Sequence, residues 1–176
     1  MIGIYEESDY ENINRQRKKL LVGFWVSLTV LVAVNIAIFV LYTFQEYATP
    51  LKAPLLAINI ASCALYVIII YPIMSIKYKR VNNYYKMLYY FKNGIKSEGS
   101  NVFNGIDSSI TVKDGVDFLN LKFLEWSDKK QEYFERNILF DVEKPLPDFK
   151  AGDLVHHITQ GNILIAYELR SEDIFE

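Results

Sequence analysis

A chain of 176 residues, 51% hydrophobic and with a net charge of −2, has room for one domain, or for one domain and an anchor. Its single cysteine, Cys63, excludes an intramolecular disulfide, so cysteine usage gives no sign of an oxidising compartment. The near-neutral total hides a division. Residues 1–95 carry 10 basic and 5 acidic side chains, whereas residues 96–176 carry 9 basic and 16 acidic. That balance of −7 in the second part disfavours direct nucleic-acid binding, which depends on neutralising phosphates.

The N-terminal segment, residues 1–19, opens on the acidic, tyrosine-containing "MIGIYEESDYENIN" and closes on Arg15, Arg17, Lys18 and Lys19. An apolar run follows from Leu20 to Phe44. A secretion signal has an apolar core of about 7–15 residues and ends at small residues read by a peptidase. This run is too long and has no Ala-x-Ala triplet at its end, so residues 20–44 read as a permanent transmembrane helix. Residues 45–54, "QEYATPLKAP", form a short extracytoplasmic loop, with Pro54 suited to the first turn of a returning helix. Residues 55–76 are again apolar, contain no charged side chain and give a second span.

The flanks set the orientation. Arg15, Arg17, Lys18 and Lys19 precede the first span, Lys77, Lys79 and Arg80 follow the second, and the loop holds only Lys52. Positive charge stays inside, so both termini are expected in the cytoplasm of an integral cell-membrane protein, with those seven bases at the membrane interface. Within the spans, Asn35 and Asn59 lie 15 and 17 residues from the inner ends, depths that differ by about 3 Å. An interhelical polar pair is open to them. Asn59, Ser62, Cys63 and Tyr66 share one helical face, and Ala57, Ala61 and Ala64 line the other. No Asp, Glu, Lys, Arg or His lies mid-span, which argues against ion transport through the hairpin alone.

Residues 77–95 continue the second span as a cytoplasmic juxtamembrane helix, rich in tyrosine and stopped at Asn93-Gly94. From there the pattern alternates. "SITVKDGVDF" is a hairpin with Asp114-Gly115 at its turn, and "FLNLKFLEW" and "YFERNILFDV" are strands joined by "SDKKQ". Leu119, Leu121 and Phe123 should share one face of the first, and Phe134, Ile138, Phe140 and Val142 one face of the second. Pro145 and Pro147 mark a connector, after which "LVHHITQ" and "ILIAYELR" flank a two-residue turn at Gly161-Asn162. In the last strand Ile163, Ile165, Tyr167 and Leu169 are expected to point one way. Residues 96–176 therefore read as a small cytoplasmic antiparallel β-barrel or curved sheet, SH3-like or OB-like, with a pleckstrin-homology-like fold as the alternative. The whole is an α+β membrane protein built from a two-helix hairpin, a helix extension and a β-domain.

Chemistry is sparse. His156 and His157 are the only histidines, and neighbours on a strand face opposite ways, so they cannot share a metal without a bulge. No phosphate loop, dinucleotide glycine pattern, zinc motif or nucleophile elbow is present, and Asp107, Asp114, Asp128, Asp148 and Asp153 fall at turns. The expectation is a protein without catalytic, cofactor or metal residues. It would be an accessory or scaffold protein on the lipid bilayer that presents its β-domain to a membrane or cytoplasmic protein, or to a second copy. The alternative is a sensor or regulator whose β-domain binds a small ligand or lipid headgroup.

Overall fold

In the computed structural model, which describes residues 1–46 and 49–170, the chain forms two compact units: Ile13–Asn82, and Met1–Asn12 together with the chain from Asn83 onward. Tyr47 and Ala48 of the expected loop, and residues 171–176 of the expected β-domain, lie outside the described residues.

The first unit is helical. Helix α1 runs Glu7–Thr43 and helix α2 runs Lys52–Pro72; with its continuation to Asn93, the second apolar helix is 42 residues long. Both are long and apolar enough to cross a membrane, and neither has a buried residue along its apolar stretch. Helix α1 begins 13 residues before Leu20, where the expected span starts. Nothing between Glu7 and Leu20 breaks a helix, and Glu7 and Asp9 place acids in its first turn, against the positive helix end. Asp9 also accepts the backbone N–H of Glu6 at 2.8 Å, the return half of a capping box. Past Pro72 the helix does not stay regular. Proline has no N–H to give the preceding turn, and residues Ile73–Tyr78 take a wider π-helical turn before helix α3, Lys79–Asn93, resumes. The helix stops at Asn93, before Gly94, as the stop signal predicts.

The second unit is a closed β-barrel. Its strands are β2 (Ser97–Lys113), β3 (Val116–Ser127), β4 (Glu132–Asp141), β5 (Leu154–Gln160) and β6 (Ile163–Arg170), in the order β6-β4-β3-β2-β5. An antiparallel β5–β6 pairing and one parallel pair, Leu139 with Ile163, complete the circuit. Closure depends on β2, which pairs through Ser97–Val102 with β5 and through Val102–Lys113 with β3. Register shifts after Phe103 and after Asp107 bend it, and Gly105, with φ +150°, occupies the first bend. The turns at Asp114-Gly115 and Gly161-Asn162 have positive φ at both residues, the geometry whose twist suits two-residue hairpins.

Phe103, Leu121, Phe123, Ile138, Phe140, Val155 and Leu164 form the core, with Ile4, Phe149 and Tyr167 packed against it. Phe149 comes from the proline-bearing connector and meets Phe103, Phe123 and Tyr167 edge-on at 4.9–6.4 Å between ring centres. On β3 the expected face holds for Leu121 and Phe123, while Val116 and Phe118 are buried on the opposite, outer face. On β4, whose ladder with β3 has no register shift, Phe134, Ile138 and Phe140 keep one side, but only Ile138 and Phe140 are buried; Phe134 is exposed, and Val142, also exposed, lies beyond the end of the strand. The expected face of β6 is not a single face. A register shift at Ile158/Thr159, opposite Leu164–Ala166, puts Leu164 and Tyr167 at the core and leaves Ile163 on the outside.

Two segments outside the barrel strands fold with it. Helix α3 lies over the outer face, its stripe of Tyr84, Met87, Leu88 and Phe91 at helical spacing, with Leu88 and Phe91 buried. At the N-terminus a two-residue strand, β1 (Ile2–Gly3), pairs with β6 opposite Tyr167 and Ala166, and Ile4 N–H donates to the Ile165 carbonyl at 2.9 Å. The sequence pattern indicated no strand there.

Candidate functional site

The polar residues of the helical hairpin meet at Asn35. Its Oδ1 accepts from Ser62 Oγ at 3.0 Å and from Cys63 Sγ at 3.4 Å, its backbone carbonyl accepts from Asn59 Nδ2 at 3.4 Å, and its own Nδ2 donates to the Leu31 carbonyl at 2.8 Å. One turn further along, Ser27 and Tyr66 hydroxyls pair at 3.0 Å. The face of α2 carrying Asn59, Ser62, Cys63 and Tyr66 is thus the face turned to α1, and the alanine face is exposed. Each of these side chains finds a partner inside the hairpin.

Of the seven basic residues named from the sequence, three share a groove. Lys19, Lys77 and Arg80 come together around a groove of about 430 Å³, lined also by Gln16, Leu20 and Val81. Arg15, Arg17, Lys18 and Lys79 do not line it; Arg17 instead donates to Asn14 Oδ1 at 3.4 Å.

On the barrel unit the structure shows a site that the sequence reading missed. Asp141, at the end of β4, is fully buried. Its Oδ2 accepts from the Tyr84 hydroxyl at 2.6 Å and the Tyr5 hydroxyl at 3.4 Å, and its Oδ1 accepts the Glu143 N–H at 3.0 Å. Burial first, and then Asp141 beside them, raise both phenols well above the ordinary tyrosine range. Nearby, Lys144 Nζ donates to Asp9 at 2.6 Å. Burial alone would raise Asp9, but the Glu6 N–H and Lys144 outweigh it and lower its carboxyl. Tyr10 and Tyr85 hydroxyls lie 2.8 Å apart, and Lys92 pairs with Glu7 at 2.9 Å. Nothing local in the sequence links residues 5, 84 and 141. The one available signal was an acid at the end of β4, two residues from Leu139 on the odd-numbered face and directly after the apolar Ile138–Phe140.

The histidines face opposite ways, as strand geometry requires. His156 Nδ1 meets Ser100 Oγ at 2.9 Å near the surface, and His157 is buried with Nε2 3.0 Å from Asn101 Oδ1. Asn101 gives its amide N–H to the Leu124 carbonyl, so Oδ1 is the acceptor and His157 Nε2 carries the proton. His157 Nδ1 has no partner among the described residues. Burial, with Arg136's charge second, pushes this imidazole down to about 4. It is a neutral core group, not an acid or base working near pH 7.

A second cavity, of about 420 Å³, lies between α3 and the barrel. Met87, Phe91, Val116, Phe118 and Ile163 line it, with Lys86 and Lys113 among its polar residues. Hydrogen bonds from Asn83 Nδ2 to the Asp114 carbonyl (2.7 Å) and from Gln160 Nε2 to the Tyr90 carbonyl (2.8 Å) fasten α3 to the barrel beside it. Among the described residues no group of three or more His, Cys, Asp or Glu side chains could hold a metal ion. Comparison of the chain with protein-family models, with curated proteins and with solved structures finds no match.

Proposed function

We propose that this chain is a membrane-anchored accessory or scaffold protein that holds an OB-like β-barrel on the cytoplasmic face, without catalysis of its own. The observation that carries the reading is the folding of residues 1–12 into the barrel unit. These residues precede the apolar run of α1 and the barrel follows the second apolar helix, so the two ends of the hairpin share one compartment, as an even number of spans requires. The excess of Lys and Arg at those ends supports the cytoplasm as that compartment. Strands β2, β3 and β4 form a meander and β5 returns beside β2, giving the spatial order 4-1-2-3 of a Greek key. That order supports an OB-like barrel over an SH3-like one. For presentation to a partner, the β3–β4 hairpin offers Trp126 and Tyr133, a cross-strand pair 4.9 Å apart, both exposed and followed by the exposed Phe134.

Two experiments test this. A cysteine placed after Arg170, in a Cys63→Ser background, should resist impermeant thiol reagents in intact cells and label only after lysis; labelling of intact cells refutes the orientation. A photo-crosslinking residue at Tyr133 should capture one defined protein, with the adduct lost in Trp126→Ser; no adduct, or one unchanged by that substitution, refutes presentation through this hairpin. The cavity beside α3 favours a second reading, a small-ligand or headgroup sensor, which predicts a ligand-dependent shift of the Met87 and Ile163 methyl resonances.

A further inference from the structure

Two stretches with the same spacing build the basic groove. Gln16, Lys19 and Leu20 come from α1; Lys77, from the π-helical turn, and Arg80 and Val81 come from the helix that follows. Both sets are residues i, i+3 and i+4, one face of one helical turn, so the two helices present matching half-sites. The chemistry is one-sided: two ammonium groups, one guanidinium and one amide, with no carboxylate among the described residues that line the groove. The walls are Leu20, Val81 and the alkyl stems of the bases, and Leu20 is the first residue of the apolar run.

From this we infer that the groove is a binding site for one anionic phospholipid. The phosphate lies among Lys19, Lys77 and Arg80, an acyl chain follows Leu20 toward the spans, and Gln16 and Val81 close the outer end of the groove, where the amide can serve a headgroup hydroxyl. Arg80 suits a phosphodiester because its planar fork can give two parallel N–H bonds to two oxygens. A free inorganic phosphate would leave the apolar walls uncovered. A zwitterionic phosphatidylcholine would bring a fixed positive charge among three cations. The inference rests on the membrane reading above and adds to it a particular lipid and a particular place.

The remaining bases of the same flanks make an internal control. Arg15, Lys18 and Lys79 carry the same three charges on the same helix segments but do not line the groove. Full-length protein, extracted in mild detergent and exchanged into phosphatidylcholine micelles, is titrated with phosphatidylglycerol and followed by native mass spectrometry. Wild type should retain one phosphatidylglycerol. Lys19→Gln/Lys77→Gln/Arg80→Gln should weaken it by about a hundredfold, the effect of three bases at an anionic headgroup. Arg15→Gln/Lys18→Gln/Lys79→Gln should weaken it by only a few-fold. All six side chains are exposed, so both triples should keep wild-type helical circular dichroism. Equal losses in the two triples, or equal retention of phosphatidylcholine by wild type, overturn the site and leave the membrane reading intact. A wild-type chain that stays in the supernatant without detergent refutes both, before any lipid is measured.

Discussion

The buried carboxylate at Asp141 gives the sharpest test of how this barrel is held. Replacing Tyr84 by Phe keeps the ring and removes only the hydroxyl, which donates to Asp141 Oδ2 at 2.6 Å. A hydrogen bond to a charged group contributes about 1.5–3 kcal/mol, and this one is short and serves a residue with no solvent exposure. The remaining donor to that oxygen is Tyr5, at 3.4 Å, near the limit of a useful bond. Tyr84→Phe should therefore cost about 2 kcal/mol, and Tyr5→Phe about 1 kcal/mol or less, since its ring contact with Phe91 at 4.9 Å survives. The double variant should cost more than the sum, because the carboxylate then has no side-chain donor.

The same geometry fixes a pH dependence. Both phenols titrate above their unfolded value of about 10, so the folded state favours their neutral forms. Their contribution is complete below pH 10 and is lost as pH climbs beyond it. Urea unfolding of the full chain in detergent, followed by Trp126 fluorescence in a Trp25→Phe background, reads the barrel alone, since these are the two tryptophans. Wild type should lose stability between pH 9.5 and about 11.5, and the double Phe variant should be weaker at pH 8 with a flatter alkaline limb. A double variant as stable as wild type at pH 8, or equally alkali-sensitive, refutes the reasoning.

Acid should act through a different residue. His157 is held neutral down to about 4, so its contribution is present above the unfolded value near 6.5 and fades as pH falls through that window; His157→Gln should flatten the acid limb in the same unfolding assay. Asn35→Leu removes the hub of the hairpin's polar group and leaves Ser62 and Cys63 without their interhelical acceptor, which should lower helix-pair stability in detergent by about 1 kcal/mol by thermal circular dichroism. Gly99→Ala would set a Cβ 2.9 Å from His157 Cε1 and 3.1 Å from Asn101 Oδ1, so overpacking should cost about 1–3 kcal/mol by urea unfolding.

Much of this architecture was legible in the chain because it depends on local rules. An apolar run of bilayer length makes a long helix whatever else is present, and Asp114-Gly115 and Gly161-Asn162 make hairpin turns because few other pairs accept positive φ twice. Asn35, Asn59 and Ser62 could be brought together from rise per residue and helical spacing alone, and they do meet. What escaped was non-local or depended on one residue's covalent geometry. Two residues at the N-terminus cannot announce a strand whose partner is Tyr167, and Pro72 in an otherwise perfect apolar run was read past. The outer faces of β3 and β4 also looked like solvent faces, until α3 covered Val116, Phe118, Leu139 and Asp141. The basic flanks are plain in the sequence; knowing that Lys19, Lys77 and Arg80, and not their neighbours, share a groove required the helix pair.

The barrel unit separates what holds it from what positions it. Burying one of its core phenylalanines or leucines contributes about 1.5–3 kcal/mol, whereas a neutral hydrogen bond nets about 0.5–1.5 kcal/mol, so the seven-residue core decides whether the barrel forms. The polar ties act on segments that the core cannot grip. Asn83 and Gln160 fix α3 to the turns after β2 and β5, Asp141 joins α3 to the N-terminal segment, and Lys144 reaches Asp9. An apolar face could slide by a turn at little cost, but a buried carboxylate that needs two phenols from segments 79 residues apart admits one arrangement. The N-terminal segment and α3 are thereby held on the barrel in one register by groups whose loss would loosen their placement while leaving the core intact.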